Sequence, residues 1–98
     1  MRLEQLIASS CRQKILLALS KTKTTHVTNL VRIINSTYNQ VDRNLQILEQ
    51  EGIIKNKHYG RIRLIELNTD NPKTHTLLKA LNLLNLPTTN PQTKNNND

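Results

Sequence analysis

The sequence predicts a mostly helical α+β domain, and three observations carry that prediction. Apolar residues recur at helical spacing from the N-terminus to Leu48, an apolar β segment follows Gly52 at once, and a leucine-rich helical stripe comes after the β residues. Leu3, Leu6, Ile7, Cys11, Ile15, Ala18 and Leu19 step by three and four, which predicts a first helix over about residues 2 to 20. Lys21 to Thr25 is too polar to extend that face. Thr25 stands where a cap is needed for a short second helix carrying Val27, Leu30, Val31 and Ile34. Asn35 and Ser36 then form a turn, and Ser36 or Thr37 caps a third helix with Tyr38, Val41, Leu45 and Leu48 on one side. Gly52 supplies the left-handed residue that ends it.

Ile53 and Ile54 open the β segment, and Arg61 to Leu67 alternates polar and apolar residues as a half-buried strand does. Asn56 to Gly60 between them reads as a hairpin connection. Asn68 to Pro72 breaks the strand and leads to a last helix over about residues 73 to 86, striped by Leu77, Leu78, Leu81 and Leu84. Residues 1 to 86 are thus expected to form one domain. The polar tail, residues 87 to 98, has nothing to bury and is expected to be disordered.

Charge and composition narrow the function. Ninety-eight residues carry 14 Lys and Arg against 7 Asp and Glu, a formal net charge of +7 that favours polyanionic partners. A chain this short buries a modest core, so a dimer partner would help it. A single cysteine, Cys11, sits inside an apolar run, which rules out a disulfide framework and a Cys-rich zinc site and fits a reducing cytoplasm. No apolar run approaches the roughly 18 residues that a membrane span needs, and Glu4 stands where a secretory signal would be apolar. The expectation is a cytoplasmic protein with no membrane partner. Enzymatic function is not expected: a Gly-rich phosphate loop, a carboxylate pair and a nucleophile with its base are all missing from the sequence. His26, His58 and His75 lie in separate elements without a carboxylate at ligand spacing, so no metal and no cofactor are expected. Two tyrosines without Phe or Trp make single-stranded RNA a poor match.

The third helix carries the candidate site. With Val41, Leu45 and Leu48 inward, helical rotation places Thr37, Asn39, Gln40, Arg43, Asn44 and Ile47 on the other side. Asn and Gln can bond adenine in pairs, and Arg can bond guanine or a phosphate. Gln40 and Arg43 are the expected base contacts, with Thr37, Tyr38 and Asn39 near the nucleic-acid backbone at the helix N-terminus, where free N–H groups favour phosphate, and Ser36 and Asn44 as further contact residues. Asp42 would repel phosphate unless it pairs with a base amine or a neighbouring basic side chain. Downstream, Lys55, Lys57, His58, Arg61 and Arg63 surround a protruding turn from which cations can reach phosphates or a narrow A·T minor groove. Tyr59 either packs on a sugar or shields the turn. A solvated amphipathic helix beside a solubilising basic surface is the plain alternative, and the conjunction of the two features argues against it.

The stretch INSTYNQVDRNLQILEQEGII, residues 34 to 54, resembles the winged helix-turn-helix regulators of the ArsR/MarR kind, in which a turn serine, Val, Arg and Leu precede Leu-Glu-x-x-Gly-Leu-Ile. The matching positions are Ser36, Val41, Arg43 and the Leu48 to Ile54 run, with Arg61 as the basic wing residue. The resemblance implies that the third helix enters the major groove of double-stranded DNA, that the hairpin is a wing on the flanking backbone or minor groove, and that terminal helices build a homodimer. The dimer surface expected here is Leu77, Leu78, Leu81 and Leu84 of the last helix with Leu3 and Leu6 of the first. Two departures leave any small-molecule effector unidentified. No His/Cys/Asp cluster matches the metal-sensing sites of ArsR-type repressors, and the C-terminal region is shorter than typical MarR dimerisation arms. A nonspecific architectural chromatin protein and a winged-helix protein-interaction module are the alternatives to a regulator.

Overall fold

The computed structural model describes residues 1–85, which run α1 (Leu3–Leu6), α2 (Ser10–Thr22), β1 (Thr24–His26), α3 (Val27–Ile34), α4 (Tyr38–Gln50), β2 (Ile54–Tyr59), β3 (Ile62–Leu67) and α5 (Pro72–Leu84). Residue 86, the expected end of the last helix, and the expected tail, residues 87–98, lie outside the described residues. The architecture is the mostly helical α+β one, with β2 and β3 forming a hairpin and α5 following it.

The single first helix expected over residues 2 to 20 is in fact two. Ser9 stops the pattern by capping: its Oγ accepts a hydrogen bond from the Arg12 amide at 3.3 Å, and α2 begins at Ser10. The carbonyls freed at the end of α1 are then met by side chains. Arg12 donates from Nε to the Leu6 carbonyl at 2.8 Å and from a terminal nitrogen to the Gln5 carbonyl at 2.8 Å, while the Gln13 amide donates to Ile7. Apolar spacing runs through this break unchanged, which is why periodicity alone could not locate it.

The strand β1 was not expected at all. Thr24–His26 pairs antiparallel with β3, placing Thr25 opposite Ile65, so the sheet order is β1-β3-β2. Thr25 is therefore a buried strand residue and not the cap assigned to it; His26 occupies that position, without a capping side-chain bond. Three residues between two helices are too few for an alternating pattern to show. Thr37, the second of the two candidates, caps α4 by accepting from the Gln40 amide at 3.2 Å. Asn35 takes the left-handed turn before it, at φ 60°.

At the far end of α4, Gly52 has φ +76°, and a Cβ there would meet the Asn71 Nδ2 at 2.9 Å. The Gly52 carbonyl accepts from Asn68 at 2.9 Å and from Asn71 at 3.0 Å, which closes the start of α5 onto the end of α4. Pro72, read as a breaker, is instead the first residue of α5, where its fixed φ suits a helix and its missing N–H is not needed. Lys73 and the N-terminal ammonium both contact Glu51, each at 3.1 Å. Those two partners hold the Glu51 carboxyl below the usual glutamate range. The sign follows: the contacts favour the fold above the ordinary glutamate pKa, and that support is lost as pH falls through the lowered one.

Leu16, Leu19, Leu30, Val41, Leu45, Leu48, Ile53 and Ile65 meet in the core, all fully shielded from solvent. Leu6, Leu77 and Leu81 belong to the same core and are likewise 0% exposed, which corrects their assignment to a dimer surface. A small domain has little apolar surface to spare, and these leucines close its own interior before any second copy is present. Leu3 and Leu78 pack on the core half-buried. Leu84 remains outside at 61% exposed, joined by Leu83 at 65%, a residue the stripe omitted.

The two classes of leucine should separate in urea unfolding. Leu81→Ala is expected to lower stability by about 2 to 5 kcal/mol through transfer and cavity terms, whereas Leu84→Ala should change it by about 0.5 kcal/mol or less. Equal losses from the two variants would contradict this packing.

Candidate nucleic-acid interface

The N-terminal half of α4 presents Thr37, Tyr38, Asn39, Gln40 and Arg43 to solvent, a surface of hydroxyl, amide and guanidinium groups. Its orientation comes from the opposite side of the helix, where Val41, Leu45 and Leu48 are buried. Tyr38, expected with that buried side, is 47% exposed instead. Ser36 is half-buried in the turn and its hydroxyl donates to the Gln40 Oε1 at 2.8 Å, which holds the Gln40 side chain at the helix tip.

Asn44 departs from the expected exposed face. It is 7% exposed, its Oδ1 accepts from Arg12 at 2.8 Å, and its Nδ2 donates to the Gln40 carbonyl at 2.8 Å. Helical rotation put it near the boundary of the two faces, and a buried amide with both ends satisfied is held there by the arginine beneath it. Arg12 thus joins the end of α1 to the middle of α4. Ile47 also packs against the core from the side assigned to solvent.

The hairpin differs from the expected connection in a useful way. Tyr59 pairs with Ile62, so β2 runs farther than anticipated and only Gly60 and Arg61 form the turn. Gly60 stands at the first central position with φ +60°, where a type II′ hairpin turn calls for glycine. Since Ile65 and Leu67 are the buried residues of β3, Arg63 shares their face and Ile62 and Leu64 take the other. Arg63 is accordingly drawn inward, its side chain 15% exposed.

That inward arginine joins the hairpin to α4. It donates to the Asp42 Oδ1 at 2.6 Å, to the Tyr38 hydroxyl at 3.1 Å and, from Nε, to the Asn56 Oδ1 at 2.8 Å. Asn56 donates in turn to Glu49 at 3.0 Å, and Gln46 donates to the second Asp42 oxygen at 2.9 Å. Asp42 therefore has the neighbouring basic partner that its position required. Arg63 correspondingly turns to the protein's own carboxylate, away from the tip to which the sequence assigned it.

Lys57 is tied as well. Its Nζ lies 2.8 Å from Glu66, and the contact raises the lysine pKa and lowers that of the glutamate. Lys55, Arg61 and Arg43 are exposed and have no ion-pair partner among the described residues. His58 is exposed on the hairpin. The surface thus combines an amide-rich helix tip with a neighbouring strand pair bearing free cations.

No family model matches the sequence, and no curated protein matches it either. Solved structures do. The chain is similar to the AntR antimony-specific transcriptional repressor, with 23% identity and a TM-score of 0.70 over 84% of this chain and 73% of that one. It is similar to the transcriptional repressor PagR of Bacillus anthracis at 28% identity and a TM-score of 0.67, over 82% of this chain and 88% of the other. A transcriptional regulator homologue from Pyrococcus horikoshii OT3 matches at 20% identity and a TM-score of 0.57, over 86% and 97% of the two chains. The fold is that of the ArsR/MarR-like winged helix-turn-helix proteins. In winged-helix terms α3 and α4 are the helix-turn-helix, and β2 with β3 is the wing. Among the described residues no group of three or more His, Cys, Asp or Glu could hold a metal ion, and no helix is long and apolar enough to cross a membrane.

The contact between wing and helix can be measured directly. A double-mutant cycle on Arg63→Ala and Asp42→Ala should give a coupling of about 1 to 2 kcal/mol in urea unfolding, because the pair is partly shielded and charge-assisted. Additive losses would mean that the two side chains act independently.

Proposed function

We propose that this chain is a cytoplasmic DNA-binding transcription regulator that works as a homodimer and carries no catalytic chemistry. The observation that carries the reading is the exposed hydroxyl and amide face of α4, held at a fixed angle to a cationic wing by Arg63. The proteins of like fold named above, two transcriptional repressors and a transcriptional regulator homologue, support it. In this reading residues 1 to 86 are the DNA-binding domain. The tip of α4 lies in a major groove, where Gln40 and Arg43 read base edges and Thr37, Tyr38 and Asn39 sit near the phosphates that its free N–H groups favour. Arg61 and Lys55 supply the wing's phosphate contacts, with His58 beside them. Lys57 reaches DNA only by exchanging Glu66 for phosphate, while Asn44 and Arg63 act from behind by positioning the helix and wing.

The homodimer rests on the end of α5. Leu83 and Leu84 are adjacent exposed leucines on a helix whose Leu77 and Leu81 are buried and whose Leu78 is half-buried, and they would form the apolar centre of the partner surface. Two copies related by a twofold axis would present two α4 helices to successive major grooves about one DNA turn apart.

Titration of duplexes of genomic and scrambled sequence at several salt concentrations tests the reading. Affinity should fall steeply with salt, and Gln40→Ala or Arg43→Ala should cost about 1 to 3 kcal/mol of discrimination between preferred and random sites. Arg61→Ala or Lys55→Ala should weaken both classes of site alike and reduce the salt slope by about one unit. No binding to any duplex at low salt would reject DNA as the partner and favour a protein-interaction module; equal affinity for every sequence would favour an architectural protein.

Sedimentation across a concentration range tests the assembly. The intact chain is expected to dimerise, and Leu83→Asp with Leu84→Asp should give a folded monomer, since neither residue supports the core. A folded double variant that stays dimeric would move the interface elsewhere.

A further inference from the structure

The residues that flank the turn of the wing are apolar, which the phosphate contacts above do not explain. Tyr59 is 58% exposed and Ile62 is 48% exposed, and the two stand directly opposite each other on the strands that flank the turn. They share the outer face of the sheet, pointing away from the Arg63 contacts that bind the wing to α4. The third strand does not reach them: β1 pairs with β3 only from Glu66 to Leu64, so the His58–Arg63 and Tyr59–Ile62 pairs and the turn extend beyond it. A Cβ at Gly60 would meet nothing within 4 Å, and exposed Arg61 sits beside it without an ion-pair partner among the described residues.

We propose that this tip is an apolar wedge for the minor groove, in which Tyr59 and Ile62 press on the edge of one base step and kink the duplex while Arg61 holds a flanking phosphate. The inference rests on the duplex-binding reading above. Size supports it. A B-form minor groove is about 6 Å wide, narrower than two strands about 4.8 Å apart with their side chains, so the apolar pair on the face of this ribbon can press on base edges only where the groove opens. Opening the groove unstacks a base step, and apolar side chains replace the contacts that the bases lose there. The free cation between the two apolar residues offsets phosphate charge at the same place. Steps that unstack readily, TA and CA/TG, should therefore be preferred under the wing over stiff A-tracts. A cross-strand aromatic and β-branched pair also stiffens a hairpin, so the bend and not stability alone must be read.

The measurement is energy transfer between dyes at the two ends of a bound duplex, made with the intact protein. The wild-type chain should bend DNA by about 20 to 90°, more over a TA or CA/TG step than over an A-tract. Tyr59→Thr combined with Ile62→Thr keeps residues suited to a strand and should lose most of the bend and the step preference, with an unchanged salt slope. Tyr59→Phe should retain the bend, and Arg61→Ala should retain it while reducing the slope by about one unit. Far-UV circular dichroism checks that each variant is folded. A wild-type protein that binds duplex without bending it overturns the wedge and leaves DNA binding intact, as does a folded double variant that bends like the wild type. Absence of any duplex binding overturns both readings together.

Discussion

Arg63 is the constraint on which the geometry of the candidate interface depends. The root of the hairpin is held by β1 and by the buried Ile54, Ile65 and Leu67, and beyond that root hydrogen bonds from one guanidinium to Asp42, Tyr38 and Asn56 set its angle to α4. Planarity matters here, because a lysine could neutralise Asp42 but could not offer several donors in a fixed fork. The Asn56 to Glu49 bond adds a second tie about two turns farther along the helix. The exposed face of α4 and the wing therefore behave as one surface, whose shape is set by side chains that do not themselves reach outward.

A second arginine plays the matching part at the other side of α4. Arg12 meets the last carbonyls of α1 and the Asn44 side chain at once, so the break after α1 and the height of α4 are decided together. Asn44 passes the contact on to the Gln40 carbonyl, within the first turn of the helix. Cys11 lies next to this junction, half-buried, and desolvation raises its pKa against the opposing contact with Asn44. Its thiol is thus kept protonated and suited to packing more than to chemistry.

Much of this was legible in the sequence because it is periodic or punctuated. Val41, Leu45 and Leu48 recur at helical spacing and are buried; Gly52 and the following isoleucines mark the change from helix to strand. What could not be read depends on partners distant in the chain. β1 is defined by its register with β3, and Asn44 is buried because Arg12, thirty-two residues away, needs its oxygen. The leucines of α5 show the same limit. Spacing put Leu77, Leu81 and Leu84 in one stripe, but which of them roof the domain depends on where α2 lies beneath them, and only Leu84 is left outside. Asp42 was the exception, since a lone carboxylate on a basic face announces its need for a cation.

The unequal lengths of the strands have a mechanical consequence. β1 supports β3 over three residue pairs and then stops, so the wing is a cantilever: three strands wide at the root and two at the end. Two-stranded ribbons twist more than wider sheets do, and they have fewer neighbours to resist deformation. Arg63 stands beyond the edge of β1, one residue pair from the turn, so its contact with Asp42 props the two-stranded end against α4 and leaves compliance to the Tyr59–Ile62 pair and the turn at Gly60. A load applied at the end therefore reaches α4 through that ion pair, and only the last residue pair and the turn can yield before it does.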